Sequence, residues 1–285
     1  MDPAAEFFVW QGGYRDPQAD LGLEFETVEL PARDGSVLRG WYVPGQPGAT
    51  AGVVAVHGAG ADRREFLRQV PLLHAAGYPV VLFDCREHGI SDGAGRGISL
   101  GIRESEDVAA VVAWAKQARG LERVAVIGTS QGAASAILAA AAEPSIDVVI
   151  AENAFTSIRD LVRDIGGLQE VRPTPGWLVG LVAATAVWRM GGVGRPAPIE
   201  VVGAIAPRPL LLMHGTHDRA IPYAHSERLR AAAGEPVELW IVEGAEHAAL
   251  FNHAPDEWKR RVLGFLARWL GPALPASLPS RPGVR

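Results

Sequence analysis

The feature that most constrains the fold is a set of six short apolar runs, rich in β-branched residues and separated by helical patterns. The runs span 51–58, 78–85, 122–129, 146–153, 208–215 and 236–244. Strands that are apolar along their whole length are buried on both faces, as in parallel sheets. Helical patterns occupy 63–76, 104–119, 131–143, 224–233 and 255–270. This alternation predicts an α/β fold, with a doubly wound, mostly parallel sheet and helices on both faces.

Two segments before the first apolar run have a different pattern. Residues 23–31 and 36–44 alternate apolar and polar side chains, and the turn Arg33-Asp34-Gly35 joins them. Alternation around an Asp-Gly turn indicates an antiparallel hairpin with one solvated face. We therefore expect an N-terminal hairpin at the edge of the sheet.

One segment interrupts the alternation of strands and helices. Residues 155–206 separate two predicted strands, and about 50 residues are too many for a plain crossover. The segment holds the apolar stretch 177–190, with prolines on either side. We interpret it as a short helical cap. The predicted organisation is an N-terminal extension (1–22), a core (23–154 and 207–271), the inserted cap (155–206) and a proline-rich tail (272–285).

Composition excludes several functional classes. The 285 residues carry a formal net charge of −5 and no long basic run, so nothing favours nucleic-acid binding. The single cysteine, Cys85, excludes an internal disulfide. No signal-peptide pattern is present, and no apolar stretch reaches the roughly 20 residues of a membrane span. We expect a soluble, cytoplasmic protein with no membrane span; its oligomeric state is left open.

The most informative motif is Gly128-Thr129-Ser130-Gln131-Gly132, between the third apolar run and a helix of small residues. A strand that turns into a helix within one or two residues needs unusual backbone angles and small neighbours. The serine at such a corner projects its hydroxyl from the carboxyl end of the sheet. We predict that Ser130 is a nucleophile; a tight turn with a structural serine is the alternative.

A serine hydroxyl needs a general base and an acid that orients it. Asp218 follows the fifth apolar run and His247 follows the sixth, in the chain order Ser, Asp, His. Both residues are expected in loops at the edge of the sheet that holds Ser130. We therefore predict a catalytic triad of Ser130, Asp218 and His247.

Other histidines offer alternatives among the eight in the chain. His214 and His217 flank Asp218 and suggest a metal site, but no matching ligands occur elsewhere. His214 is expected to be packed at a strand end, and His217 to lie in a turn. His253 is a rival base, six residues beyond His247. We predict no metal and no organic cofactor.

The glycine-rich sequence after the first apolar run can supply donors for an oxyanion. We predict the backbone N–H groups of Ala59 and Gln131 as an oxyanion hole, the second directly after Ser130. An ordinary glycine-rich turn is the alternative. A phosphate loop fits less well, because neither G-x-x-x-x-G-K nor G-x-G-x-x-G is present. His57 is expected to orient this loop.

These motifs together resemble those of the α/β-hydrolase superfamily over residues 23–270. They stand in the family's order: HGAGAD, FDCREHGISDG, GTSQG, HGTHDRAIP and EGAEH. The short cap and the AENAFTSIRDL segment resemble short-capped bacterial serine esterases, related to monoglyceride-lipase-like and acyl-thioester hydrolases. The resemblance implies Ser130 as nucleophile, His247 as base, Asp218 as acid, and Ala59 and Gln131 as oxyanion donors. It implies no metal or organic cofactor.

Two departures from the family pattern bear on function. Glu87 stands where the family usually has glycine, so it either influences substrate choice or forms a surface salt bridge. Ala133 after the motif disfavours the peptidases that have G-x-S-x-G-G.

The predicted activity is hydrolysis of short- to medium-chain carboxylic esters through an acyl-enzyme, with a small-molecule ester or thioester as substrate. The cap residues Trp177, Leu181 and Trp188 are candidate substrate contacts; packing of the cap onto the sheet and a membrane-surface patch are the alternatives. Thioester hydrolysis, acyl transfer to another acceptor and a non-catalytic binding role stay open.

Overall fold

One eight-stranded sheet forms the centre of the protein, as seen in a computed structural model that describes residues 15–93, 95–164 and 175–273. The strands are β1 (Glu26–Pro31), β2 (Val37–Val43), β3 (Ala51–Val56), β4 (Val80–Phe83), β5 (Arg123–Thr129), β6 (Val148–Glu152), β7 (Leu210–Gly215) and β8 (Val237–Val242). Their order is β1-β2-β4-β3-β5-β6-β7-β8. The pairs β1–β2 and β2–β4 are antiparallel, and all other pairs are parallel. The predicted mostly parallel sheet and N-terminal hairpin are confirmed.

The helices connect these strands along the chain. They are α1 (Pro17–Leu21), α2 (Val70–Ala75), α3 (Glu104–Arg119), α4 (Gln131–Ala142), α5 (Ile158–Asp164), α6 (Gly176–Arg189), α7 (Pro198–Val201), α8 (Ala224–Ala232), α9 (Leu250–His253) and α10 (Pro255–Trp269). A helix over 63–76 was predicted, but only Val70–Ala75 is helical and the residues before it form turns. Pro71 explains the late start, because proline is tolerated in the first turn of a helix but not in its interior.

Two apolar cores lie on opposite faces of the sheet. Along β3, Val54 and Val56 belong to the core that α3 and α4 cover. Val53 and Ala55 belong to the other core, which α2 and α10 cover. Both sets of side chains are almost completely buried. This alternation is what a doubly wound sheet requires, since successive side chains of a strand point to opposite faces.

The hairpin turn has the backbone that its sequence favours. Gly35 has a φ of 86°, in the left-handed region that glycine adopts readily. The N–H of Ala32 donates to the carbonyl of Ser36 over 2.9 Å and closes the turn. This connection sets the pairing of Leu30 with Leu38, whose side chains are both buried.

The inserted segment between β6 and β7 includes α5, α6, α7 and a 3₁₀ turn at Val202–Ile205. Part of it, 165–174, lies outside the described residues, as do residues 1–14 of the predicted extension (1–22) and residues 274–285 of the predicted tail (272–285). Phe155, Ile158 and Leu161 pack with Ala134 of α4, and Val187 of α6 joins them. The segment therefore lies against the helix that follows Ser130. In the described ranges, no helix is both long and apolar enough to cross a membrane.

Candidate active site

Ser130 occupies the sharp corner between β5 and α4. Its φ of 54° and ψ of −115° lie outside the regions that L-residues normally adopt. The Ser130 N–H donates to the carbonyl of Glu152 over 2.8 Å, and its own carbonyl accepts from Ala134 at the start of α4. The chain thus leaves the strand and enters the helix at this single residue, as predicted from the motif.

The glycines on either side of Ser130 are required by close backbone contacts. A Cβ on Gly128 would lie 2.3 Å from the carbonyl oxygen of Gly132. A Cβ on Gly132 would lie 2.1 Å from the carbonyl oxygen of Val56 and 2.6 Å from that of His57. Strand β3 and helix α4 therefore approach more closely than any side chain allows.

Replacing Gly132 with alanine is expected to destabilise the fold by about 3 kcal/mol or more, because neither backbone can move aside. Thermal unfolding followed by circular dichroism measures this. Gly264→Ala is the matched control, since a Cβ there meets nothing within 4 Å inside α10. Equal melting temperatures for the two variants would contradict the close-approach argument.

Asp218 and His247 lie together at the carboxyl ends of β7 and β8. The Nδ1 of His247 is 2.7 Å from Oδ2 of Asp218. A carboxylate only accepts, so Nδ1 carries the proton and Nε2 is left as the basic nitrogen. The Asp218 side chain is buried, whereas the His247 side chain is 12% exposed. Two of the three predicted triad residues are therefore in direct contact.

The Asp218 carboxylate is fixed from several directions. Oδ1 accepts the N–H groups of Ala220 and Ile221 over 2.9 and 2.8 Å. Burial by itself raises the Asp218 pKa, but hydrogen bonds from His214 and His247 outweigh it and hold the pKa well below the usual range. The group is therefore a permanent anion that holds the His247 ring in one orientation.

Asn153 is a further candidate site residue that the sequence motifs did not indicate. Its Nδ2 donates to Oδ2 of Asp218 over 2.7 Å, and its Oδ1 accepts from the N–H of Ala248, next to His247. Asn153 directly follows β6 and has a φ of 54°. It joins the loop that carries the acid to the loop that carries the base. The sequence signal that could have indicated Asn153 was a polar residue directly after a buried strand, next to the loop that follows β7.

The loop after β3 lies next to the Ser130 corner. A Cβ on Gly58 would lie 3.4 Å from the Cβ of Ser130. Within the described residues, the Ala59 N–H has no hydrogen-bond acceptor. The Gln131 N–H begins α4, where no intrahelical acceptor exists. Both predicted oxyanion donors are therefore unused beside Ser130.

His57 orients this loop, as predicted. Burial lowers its pKa to about 3, so the ring is neutral. Nδ1 donates to the carbonyl of Gly58 over 2.8 Å, and Nε2 accepts from the N–H of Cys85 over 2.9 Å. Both ring nitrogens are thus engaged in structural hydrogen bonds.

The alternative histidines are placed differently from His247. His214 is buried, as expected, and its Nε2 contacts both Asp218 and the carbonyl of Ile221. His217 is exposed. His253 is also exposed, and its ring lies against Gly244. Across the described part of the chain, no three His, Cys, Asp or Glu side chains cluster as a metal site would require.

The predicted substrate contacts on α6 face outward. Trp177, Leu181 and Trp188 are 72%, 57% and 71% exposed. In the described residues they neither pack on the sheet nor line the cavity beside α4, so their role as substrate contacts stays a prediction. That cavity has a volume of about 540 Å³, and its apolar lining includes Leu100, Ile102, Leu138, Phe155, Ile158 and Val187. Charged side chains line the rest of it: Arg159, Asp160, Arg163, Arg195 and Glu200.

Glu87 forms no ion pair with another described residue. One carboxylate oxygen accepts the Arg96 N–H over 3.0 Å, and the Glu87 backbone has a φ of 61°. A positive φ is easiest for glycine, which accounts for the glycine usual at this position. Glu87 therefore stabilises its own loop. The expected surface salt bridge is not formed with any of the described residues.

The sheet order and the helices around it match the α/β-hydrolase fold. The family model for the α/β-hydrolase fold matches residues 53–191. The match spans just under half of the chain, and together with the observed fold it supports hydrolase activity.

Similarity to individual proteins extends over most of the chain. The chain is 26% identical to the uncharacterised protein YfhR of Escherichia coli K12 over 254 residues, which covers 87% of this chain and 82% of YfhR. It is 28% identical to the uncharacterised protein YqkD of Bacillus subtilis over 260 residues, with the same coverage. Among solved structures, the esterase Pf2001 of Pyrococcus furiosus superposes with a TM-score of 0.73 and 28% identity, covering 91% of this chain and 98% of that one.

Proposed function

We propose that this chain is a serine esterase that hydrolyses short- to medium-chain carboxylic esters. The observation that carries the proposal is the 2.7 Å contact between His247 and the buried Asp218 carboxylate, at the sheet edge where Ser130 takes its strained corner. The similarity to the esterase Pf2001 supports ester hydrolysis in particular. We place the chain in the short-capped bacterial serine esterase branch.

In the first half-reaction, His247 Nε2 takes the Ser130 proton as Oγ bonds to the ester carbonyl carbon. Asp218 remains an anion and stabilises the imidazolium that forms. The tetrahedral intermediate then collapses, the bond to the leaving oxygen breaks, and His247 returns the proton to that oxygen. The alcohol leaves, and Ser130 holds the acyl group.

In the second half-reaction, water replaces the alcohol. His247 takes a proton from water as the water oxygen bonds to the acyl carbon. The bond between that carbon and Ser130 Oγ then breaks, His247 returns the proton to Oγ, and the carboxylic acid leaves. In both tetrahedral states the carbonyl oxygen carries negative charge. The N–H groups of Ala59 and Gln131 are the proposed donors to it, and each such donor contributes about 10²- to 10³-fold to kcat.

The cavity beside α4 supports an apolar acyl group as substrate. Ala134 is one turn along α4 from Ser130 and packs with Phe155 and Ile158, which line the cavity. A volume of about 540 Å³ is within the range of small-molecule sites and suits an acyl chain of several carbons.

Rates measured with p-nitrophenyl esters of increasing chain length test the substrate class. We expect kcat/KM to rise from acetyl to butanoyl or hexanoyl, because each buried methylene contributes up to about 0.8 kcal/mol. Ile158→Trp, which fills the cavity, should shift the optimum to shorter chains. An optimum at acetyl with no octanoyl activity would contradict the medium-chain assignment.

A further inference from the structure

A small polar cavity lies next to the residues that flank Ser130 and His247. It is lined by Glu65, Arg68, Gln69, Thr129, Glu152, Ala248, Phe251 and Asn252. Its volume, about 20 Å³, is enough for one water molecule. The lining comes from the segment after the oxyanion loop, the ends of β5 and β6, and the loop after His247. The proposed mechanism uses none of these side chains.

Glu65 makes the contact that matters most for the oxyanion loop. Its Oε2 accepts the Gly58 N–H over 2.6 Å. That N–H is therefore unavailable to a substrate oxygen, although Gly58 lies against Ser130. The next N–H along the chain, that of Ala59, has no acceptor in the described part of the chain. The Glu65 carboxyl thus binds the Gly58 amide and leaves the Ala59 amide for the oxyanion.

We propose that Glu65 is a positioning residue for the oxyanion hole, whose carboxyl fixes the Gly58 amide and so directs the Ala59 amide at the carbonyl attacked by Ser130. His57 Nδ1 donates to the carbonyl of the same glycine, so the peptide groups before and after Gly58 are both restrained. The inference rests on the proposed function, since an oxyanion hole has no use without acyl transfer.

Glu152 connects the same cavity to the other catalytic loops. Its carbonyl accepts the Ser130 N–H, and its Oε1 accepts the N–H of Leu250, the first residue of α9, over 3.4 Å. On the opposite wall, Arg68 donates to Asn252 over 2.7 Å. The segment that carries Glu65 is thereby joined to α9, the helix that follows the loop of His247.

The charge of Glu65 bears on how it acts. Burial and the nearby Glu152 raise the pKa of Glu65 to about 8, and burial raises that of Glu152 to about 7. The other titratable groups around the pair are Asp62 and Arg68 on the Glu65 segment, and Asp218 and His247 across the cavity. A neutral Glu65 accepts the Gly58 N–H without placing a negative charge beside the oxyanion. Activity should therefore fall as pH rises through about 8.

Steady-state kinetics between about pH 5.5 and 9.5 test this role. We expect Glu65→Ala to lower kcat about 10- to 100-fold with little change in KM, because a misdirected donor costs less than a missing one. Glu65→Gln keeps a neutral acceptor, so it should stay within about threefold of the parent at pH 7 and lose the decline near pH 8. Asp62→Asn, a carboxyl-to-amide change in the same turn, is the matched control. It should keep the parental kcat at neutral pH and retain the alkaline decline, moved to slightly lower pH because the Asp62 charge helps to raise the pKa of Glu65.

Each outcome of this experiment is decisive. If the parent is active and Glu65→Ala is unaffected, the inference is overturned and the proposed function stands. The same holds if Glu65→Gln is as impaired as Glu65→Ala, or if Glu65→Gln keeps the alkaline decline. Should Glu65→Ala fail to fold, the pH profile of Glu65→Gln decides by itself. A parent that neither hydrolyses esters nor reacts with a fluorophosphonate at Ser130 overturns the proposed function, and the inference with it.

Discussion

Replacing Ser130 with alanine is expected to lower ester hydrolysis by about 10⁶-fold and to abolish labelling by a fluorophosphonate probe. The hydroxyl is the atom that bonds to the acyl carbon, and no other described serine follows a buried strand in this strained backbone. Intact-protein mass spectrometry detects one added phosphonyl group on the parent and none on the variant. Ester hydrolysis measured on the same samples gives the size of the effect.

The control for this variant is a serine with a structural hydrogen bond. Ser105 donates its hydroxyl to the carbonyl of Ile102 at the start of α3, so Ser105→Ala should be labelled and active like the parent. Labelling that persists in Ser130→Ala would place the reactive group elsewhere. A folded parent that is not labelled at all would favour a non-catalytic binding role.

The sequence was sufficient to predict the parts of the site that depend on local backbone geometry. The five residues 128–132 predicted the corner at Ser130, because only small neighbours fit where β3 meets α4. Asp218 and His247 were expected at one edge because parallel strands end together, and the structure brings them into contact.

The contacts that the sequence did not reveal depend on which strands are neighbours. Asn153 reaches Asp218 only because β6 lies beside β7 in the sheet. Glu65 follows no strand, and a helix was predicted over its segment. Its contact with Gly58 arises because that segment turns back under the loop before α2 begins.

The sequence also did not indicate how the inserted segment is oriented. The apolar residues of α6 occupy most of its circumference, so periodicity does not indicate which face is buried. Val179 and Ala183 are buried in the structure, whereas Trp177 and Trp188 are exposed. The direction of these side chains depends on how α6 packs against α5 and the core.

Replacing Asp218 with asparagine is expected to lower kcat by about 10⁴-fold while the protein stays folded. The asparagine oxygen can still accept the N–H groups of Ala220 and Ile221, so its NH₂ group takes the place of Oδ2. There it meets the NH₂ of Asn153 and the Nδ1 of His247. A donor facing Nδ1 favours the tautomer with the proton on Nε2, and that nitrogen can then no longer accept the Ser130 proton.

The chain supplies a matched control in a second aspartate–histidine pair. Asp164 lies 3.3 Å from Nε2 of the buried His225, and it contacts none of the proposed catalytic residues. Asp164→Asn should therefore leave kcat within about threefold of the parent. Comparison of kcat and melting temperature for the two variants separates loss of catalysis from loss of stability. A folded Asp218→Asn enzyme with near-parental kcat would show that Asp218 does not set the His247 tautomer, and the acid of the triad would have to be sought elsewhere.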